Sequence, residues 1–171
     1  NVLASLNRAP GLVITDSQVF ADVDKIVPEN LLLTSFSILF ARYKGDLGQT
    51  CRGVKALKTL EDGDRILISE GWTHHRQCGD IGTEKLPAWI REFTGKEPEF
   101  VFTSGTEFPE DLSGFHLIIH CGGCMLNERE MKYRLRMAVD QNIPMTNYGV
   151  AIAYMTGILE RSVRPFITLI S

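Results

Sequence analysis

The sequence predicts an α/β fold: an open, mostly parallel sheet with helices on both faces, preceded by a partial, smaller α/β domain. Three observations predict it. Short apolar runs alternate with amphipathic stretches of helical spacing, the pattern of βαβ units. The run Arg65-Ile66-Leu67-Ile68-Ser69 is of the fully buried kind that parallel sheets use. The chain has 171 residues, 44% hydrophobic and 23% charged, enough to bury a core without disulfide staples.

The elements follow in order. Gly11 to Ser17 reads as a buried strand ending in polar turn residues. Leu31 to Phe40 is a second apolar segment, and strand is predicted for its middle. Leu47 to Leu60 reads as helix, with Val54, Leu57 and Leu60 at three-residue spacing. Glu61-Asp62-Gly63-Asp64 is a turn, and Arg65 to Gly71 the next strand. A loop from Trp72 to Gly82 leads into a helix from about Glu84 to Thr94. Pro87 sits in its first turn, Leu86, Ile90 and Phe93 form its buried stripe, and Gly95 ends it. Strands are predicted at Glu99 to Thr103 and Phe115 to His120. Asn127 with Glu130 three residues later opens a helix to about Val139, with Met131, Leu135 and Ala138 on one face. Ile143 to Asn147 is a short strand, and Gly149 to about Val163 the last helix. The turn at Glu61 to Asp64 is the one plausible boundary, dividing the chain into residues 1–62 and 63–171.

Composition excludes several function classes. With 18 Lys and Arg against 21 Asp and Glu, there is no broad basic face for nucleic acid. No apolar run approaches 18 residues, so no membrane span is expected. Nothing resembles a signal peptide, and a cytoplasmic location is expected. The first residue is Asn1, and the chain reads as a piece of a longer protein.

The chemistry gathers in two places. All four His and three of the four Cys lie between residues 74 and 124. One cluster, Trp72-Thr73-His74-His75-Arg76-Gln77-Cys78-Gly79-Asp80, follows the strand at 65–70. The other, His120-Cys121-Gly122-Gly123-Cys124, closes the strand at 115–120. In a parallel sheet, strand carboxyl ends share one edge, and ligand sites form in crevices there. Thr103-Ser104-Gly105 and Thr146-Asn147-Tyr148-Gly149 also end strands, so four loops can line one mouth. Two thiolates three residues apart can grip one metal or one cluster edge. The glycines let the backbone bend and offer N–H groups. Soft sulfur with imidazole suits iron–sulfur clusters or zinc, not magnesium or calcium.

Plainer roles are expected for other residues. His116 reads as structural, Cys51 as a small core residue, and one of His74 and His75 as solvated. Arg129, Lys132, Arg134 and Arg136 read as a solvated helix face. Two further readings of the C-x-x-C stay open. One is a thiol–disulfide oxidoreductase using Cys121 and Cys124. The other is a structural zinc site from His74 or His75, Cys78, Cys121 and Cys124.

Several separate stretches resemble one family. They are Asp16-Ser17-Gln18-Val19-Phe20, Leu33-Thr34-Ser35-Phe36-Ser37-Ile38-Leu39-Phe40, Asp80-Ile81-Gly82, His120-Cys121-Gly122-Gly123-Cys124-Met125 and Thr146-Asn147-Tyr148-Gly149-Val150-Ala151-Ile152-Ala153. In order and spacing they are similar to HydF, the FeFe-hydrogenase maturation GTPases. The resemblance implies the later part of a central dimerisation domain followed by an iron–sulfur domain. It implies a scaffold and carrier that holds a 4Fe-4S cluster and a diiron precursor for delivery to apo FeFe-hydrogenase. Radical-SAM maturation enzymes are further implied partners, and a homodimer is the implied full-length state. No G-x-x-x-x-G-K-S/T phosphate loop is present, so GTP and its hydrolysis are expected outside this chain, and no catalytic site within it. The family's cluster motif, Cys-x-His followed by His-Cys-x-x-Cys, maps onto His74, His120, Cys121 and Cys124. Its first Cys is replaced by Trp72, which cannot ligate iron. Cys78, six residues on, offers a substitute thiol.

Overall fold

A computed structural model describes residues 5–71, 80–123 and 125–167. Among these, the architecture is two parallel sheets with helices packed against them. The smaller sheet pairs β1 (Val13–Thr15) with β2 (Leu33–Ser35). Between them runs α1 (Phe20–Ile26), and after β2 comes α2 (Phe36–Lys44). The helix α3 (Leu47–Gly53) continues through a tighter turn at Val54–Thr59 and leads to β3 (Arg65–Glu70). Then follow α4 (Leu86–Thr94), β4 (Glu99–Ser104), β5 (Leu117–His120), α5 (Glu128–Asp140), β6 (Met145–Asn147), α6 (Tyr148–Met155) and α7 (Leu159–Ile167). The larger sheet has the order β4-β3-β5-β6, every neighbour parallel. The predicted fold class is therefore the observed one.

The larger sheet is buried on both faces, as its apolar strands require. Ile66, Ile68, Leu117 and Ile119 point to one side, where Leu86, Ile90 and the α6 residues Val150 and Ala151 cover them. Leu67 and Ile118 point to the other, onto Leu112, Phe115, Leu135 and Ala138. The alternation is the two-residue period of a strand. Pro87 stands in the first turn of α4, and Gly95 closes that helix at φ +66°. Asn127 caps α5 by accepting from the Glu130 N–H at 2.9 Å.

Three expectations are corrected. The strand expected in the middle of Leu31 to Phe40 is there but ends early, at Ser35, whose hydroxyl accepts from the Ile38 N–H and caps α2 from Phe36 on. A short apolar run has no period of its own, so the cap decided the matter. The last helix is two helices. Gly157, at φ +80°, turns the chain between α6 and α7. Phe93 lies 38% exposed rather than in the buried stripe of α4.

The two sheets are joined through α6 and α7. Arg161 of α7 donates to Asp24 and to the backbone oxygens of Val27 and Pro28, capping the carboxyl end of α1. At the other end, Gly149 lies where a Cβ would come within 2.4 Å of Ser37 Cβ. No helix among the described residues is long and apolar enough to cross a membrane.

Gly53 marks a second close approach. A Cβ there would lie 2.1 Å from the Met145 carbonyl oxygen. In a free helix, glycine to alanine is stabilising. Here the sign reverses. Gly53→Ala is expected to destabilise by about 1–3 kcal/mol through overpacking against β6. Urea unfolding of the two proteins, with unchanged m values, is the measurement.

Candidate functional site

Parallel register brings the strand ends together. Ser69 is level with both Thr103 and His120, and His120 with Asn147. Cys121 is the first residue beyond β5. Its N–H donates to the Ser69 carbonyl at 2.9 Å, which extends the ladder by one bond. Its sulfur accepts the Gly71 N–H at 3.1 Å. Gly71 admits no side chain, because a Cβ would meet Leu126 at 2.7 Å. After Cys121 the chain turns sharply, with Gly123 at φ +68°.

The half-buried Cys121 opens into a cavity of about 270 Å³. Its walls come from both sheets. Asp16 lies beyond β1, Phe36, Ser37 and Phe40 belong to α2, and Glu70 and Gly71 end β3. The first turns of α2 and α6 border it, as does a wide helical turn at Ile81–Lys85 capped by Asp80. Helix amino ends carry partial positive charge and favour a bound anion. Glu70 accepts from the Tyr148 hydroxyl at 3.1 Å, and burial, aided by Glu70, pushes the Tyr148 hydroxyl pKa upward. Tyr148 is thus held protonated as a donor. Lys44 at the end of α2 donates to the carbonyls of Gly123 and Leu126, pinning the cysteine loop from the smaller sheet's side.

Behind the loop sits a buried charged network. His120 is fully buried. Its Nδ1 lies 2.8 Å from the Cys121 carbonyl oxygen and its Nε2 3.0 Å from an Arg134 guanidinium nitrogen. Arg134 also donates to Ser69 Oγ, Gly105 O and Glu130, and packs over the Phe108 ring. Burial, reinforced by the adjacent guanidinium, pushes the His120 pKa down to about 4.

Arg134 therefore departs from the expected solvated face. Lys132 and Arg136 keep to it, paired with Glu128 and Asp140 in exposed i,i+4 bridges. The sequence did carry a signal: Arg134 falls three residues after Met131 and four before Ala138, inside the apolar stripe of α5. His116, expected to be structural within a buried strand, instead lies exposed just before β5. Its Nδ1 accepts the Arg65 N–H at 3.2 Å and its Nε2 faces Asp64 at 3.2 Å. Cys51 is half-buried, and its thiol pKa is raised by that burial.

Of the five candidate ligands, the structure places His120 and Cys121 side by side. Cys124, His74 and Cys78 lie outside the described residues, as does Trp72. Among the described residues, no three His, Cys, Asp or Glu side chains are grouped to hold a metal ion by themselves.

Residues 48–165 match the family description Hydrogen maturase F tetramerization domain, and residues 1–45 match the Hydrogen maturase F dimerization domain. The chain belongs to the HydF family of hydrogenase maturation factors. The two matches meet at the junction of α2 and α3, where Asp46 caps α3 by accepting from the Gln49 N–H. They make the chain part of an oligomer-forming protein. No curated protein matches it.

Within this HydF chain, the surroundings of Cys121 fit an iron–sulfur group in kind. A soft sulfur donor faces a cavity, an N–H is directed at that sulfur, and helix amino ends border the space.

The buried imidazole gives the site a pH signature. The unfolded chain takes up a proton near pH 6.5, while folded His120 stays neutral to about 4, flanked by Arg134 and Glu130. The unfolded state thus binds more protons in that window. Stability is expected to fall as pH drops from about 6.5 toward 4, by roughly 3 kcal/mol at most. Urea unfolding of the metal-free protein across that range tests this, and His120→Asn is expected to flatten the slope.

Proposed function

We propose that this chain is the iron–sulfur scaffold portion of its maturation factor. It would hold a 4Fe-4S cluster through Cys121 and Cys124. His74 and Cys78 are the candidates to complete the site, and His120 stands adjacent. The cargo would be a diiron precursor destined for apo FeFe-hydrogenase, with radical-SAM maturation enzymes upstream. The observation that carries the reading is the Cys121 sulfur. It faces a cavity at the carboxyl ends of β3 and β5 and accepts the Gly71 N–H, in a chain of the HydF family.

When bound, such a cluster supplies an iron with a ligand position that the protein does not fill. The chain's own residues do the rest. Gly71 directs a hydrogen bond at sulfur, which is one of the levers on a cluster's potential. Lys44 holds the carbonyls of Gly123 and Leu126, on either side of Cys124 in the sequence. Phe36, Phe40 and Met125 rim the cavity with apolar surface that limits water. Tyr148 commits its hydroxyl proton to Glu70, and both side chains line the cavity that Cys121 faces.

Elemental analysis of anaerobically purified protein decides between metals, and reconstitution with iron and sulfide follows. Iron and sulfide in equal amounts, with cluster absorbance and an electron paramagnetic resonance signal on reduction, are expected. Cys121→Ser is expected to abolish them. Trp72→Cys, which restores the family's missing thiol, is expected to raise iron retention, whereas Cys78→Ser is expected to lower it. Zinc in place of iron would favour the structural-metal reading. A reversible Cys121–Cys124 disulfide with no metal uptake would favour the oxidoreductase.

A further inference from the structure

The pairing of His120 fixes more than its burial. Arginine offers donors and no lone pair, so His120 Nε2 must be the acceptor of the 3.0 Å contact with Arg134. The ring proton is then on Nδ1, where it donates to the Cys121 carbonyl at 2.8 Å. Both nitrogens are committed: one lone pair is taken by a guanidinium, and the other position carries hydrogen. Cys121 is thereby held at its carbonyl as well as at its N–H and sulfur. Its N–H is bound to Ser69 O, its carbonyl to His120, and its sulfur to the Gly71 N–H. Arg134 anchors the arrangement from α5. It ties together Ser69 on β3, His120 on β5 and Gly105 beyond β4.

We infer that His120 and Arg134 are positioning residues for the Cys121 thiol: Arg134 sets the Nδ1–H tautomer of His120, which aims the cysteine loop without ligating the metal. The inference deepens the scaffold reading and rests on it for the iron measurements. The tautomer and thiol measurements need no metal.

Three readouts test it on the whole chain. In metal-free protein, nitrogen NMR of the imidazoles should show His120 as the Nδ1–H form. An Nε2–H form would overturn the inference. Alkylation of Cys121, localised by tandem mass spectrometry, should change rate in His120→Ala. It should return toward the parent rate in His120→Asn, whose amide N–H replaces the Nδ1 donor. Equal rates in all three proteins would overturn it. After reconstitution, Arg134→Met should weaken iron retention roughly 10- to 100-fold, the usual cost of losing a partner behind a ligand. His120→Asn should lose less than about tenfold on the same scale. In protein carrying nitrogen-15 histidine, pulsed electron paramagnetic resonance should give the same nitrogen couplings in the parent and in His120→Asn. A coupling that disappears in His120→Asn makes His120 a ligand and refutes the assignment. Should Arg134→Met fail to fold, Arg134→Lys keeps the charge but not the forked geometry, and the same loss is expected. If the parent chain takes up no iron, the scaffold reading fails, and the NMR and alkylation results still decide this one.

Discussion

Parallel in-register pairing of β3 with β5 is the constraint on which the site depends. It sets Ser69 level with His120, so Cys121 leaves the sheet beside Glu70, the last residue of β3, and its sulfur meets the N–H of Gly71 just beyond. Two chain segments far apart in sequence then share one hydrogen-bonded step. Any shift of register by one residue would turn His120 and Cys121 to opposite faces from those they now occupy. Ile66, Ile68, Leu117 and Ile119 pack into one apolar cluster and Leu67 and Ile118 into the other, so such a shift would exchange the residues of two packed faces. The core and the candidate site are therefore fixed by the same pairing.

A buried guanidinium beside a buried imidazole is costly to place there, and the arrangement explains how the cost is met. Glu130, one turn back on α5, supplies the countercharge, while Ser69 and Gly105 accept further N–H groups. Neutrality of His120 avoids a second positive charge, in keeping with its lowered pKa. Removing any one partner would leave a buried donor or acceptor exposed to no water, so the network acts as a unit. It stands at the inner end of the cysteine loop, opposite the cavity, which suits support better than binding.

Much of this was legible beforehand, and what was not has a physical reason. The strands of the larger sheet announce themselves because burial on both faces demands continuous apolar runs, and the caps at Asn127 and Gly95 mark helix ends by their own chemistry. The segment Leu31 to Phe40 holds both a strand and a helix start, because a mostly apolar run fits either equally. The distinguishing group was the Ser35 hydroxyl, a single cap within an apolar stretch. Arg134 misled in the opposite way: composition suggested a charged face, while position in the α5 stripe put the residue inward. Position outweighed type, since a long side chain can be buried when its donors are met. The juxtaposition of Cys121 with the Gly71 backbone could be anticipated only as a shared sheet edge, because a sequence shows which strands end polar but not which are neighbours.

The smaller sheet has a part in this that its size conceals. Its α2 contributes Phe36, Ser37 and Phe40 to the cavity wall, and its last residue, Lys44, binds the Gly123 and Leu126 carbonyls. Asn147, which caps α6, also donates to the Ser37 carbonyl at 2.9 Å. The segment matching a dimerization domain thus supplies a wall and a clamp to the loop that carries Cys121. A change in how α2 sits would be felt at the cysteine loop directly, through a charged hydrogen bond and a shared cavity rather than through a long path. Packing this close transmits displacement instead of absorbing it: Gly122 lies where a Cβ would stand 3.2 Å from Ser37 Oγ, and Gly149 is tighter still. Both ends of this one short helix meet the site, Phe36 and Ser37 at the cavity and Lys44 at the loop.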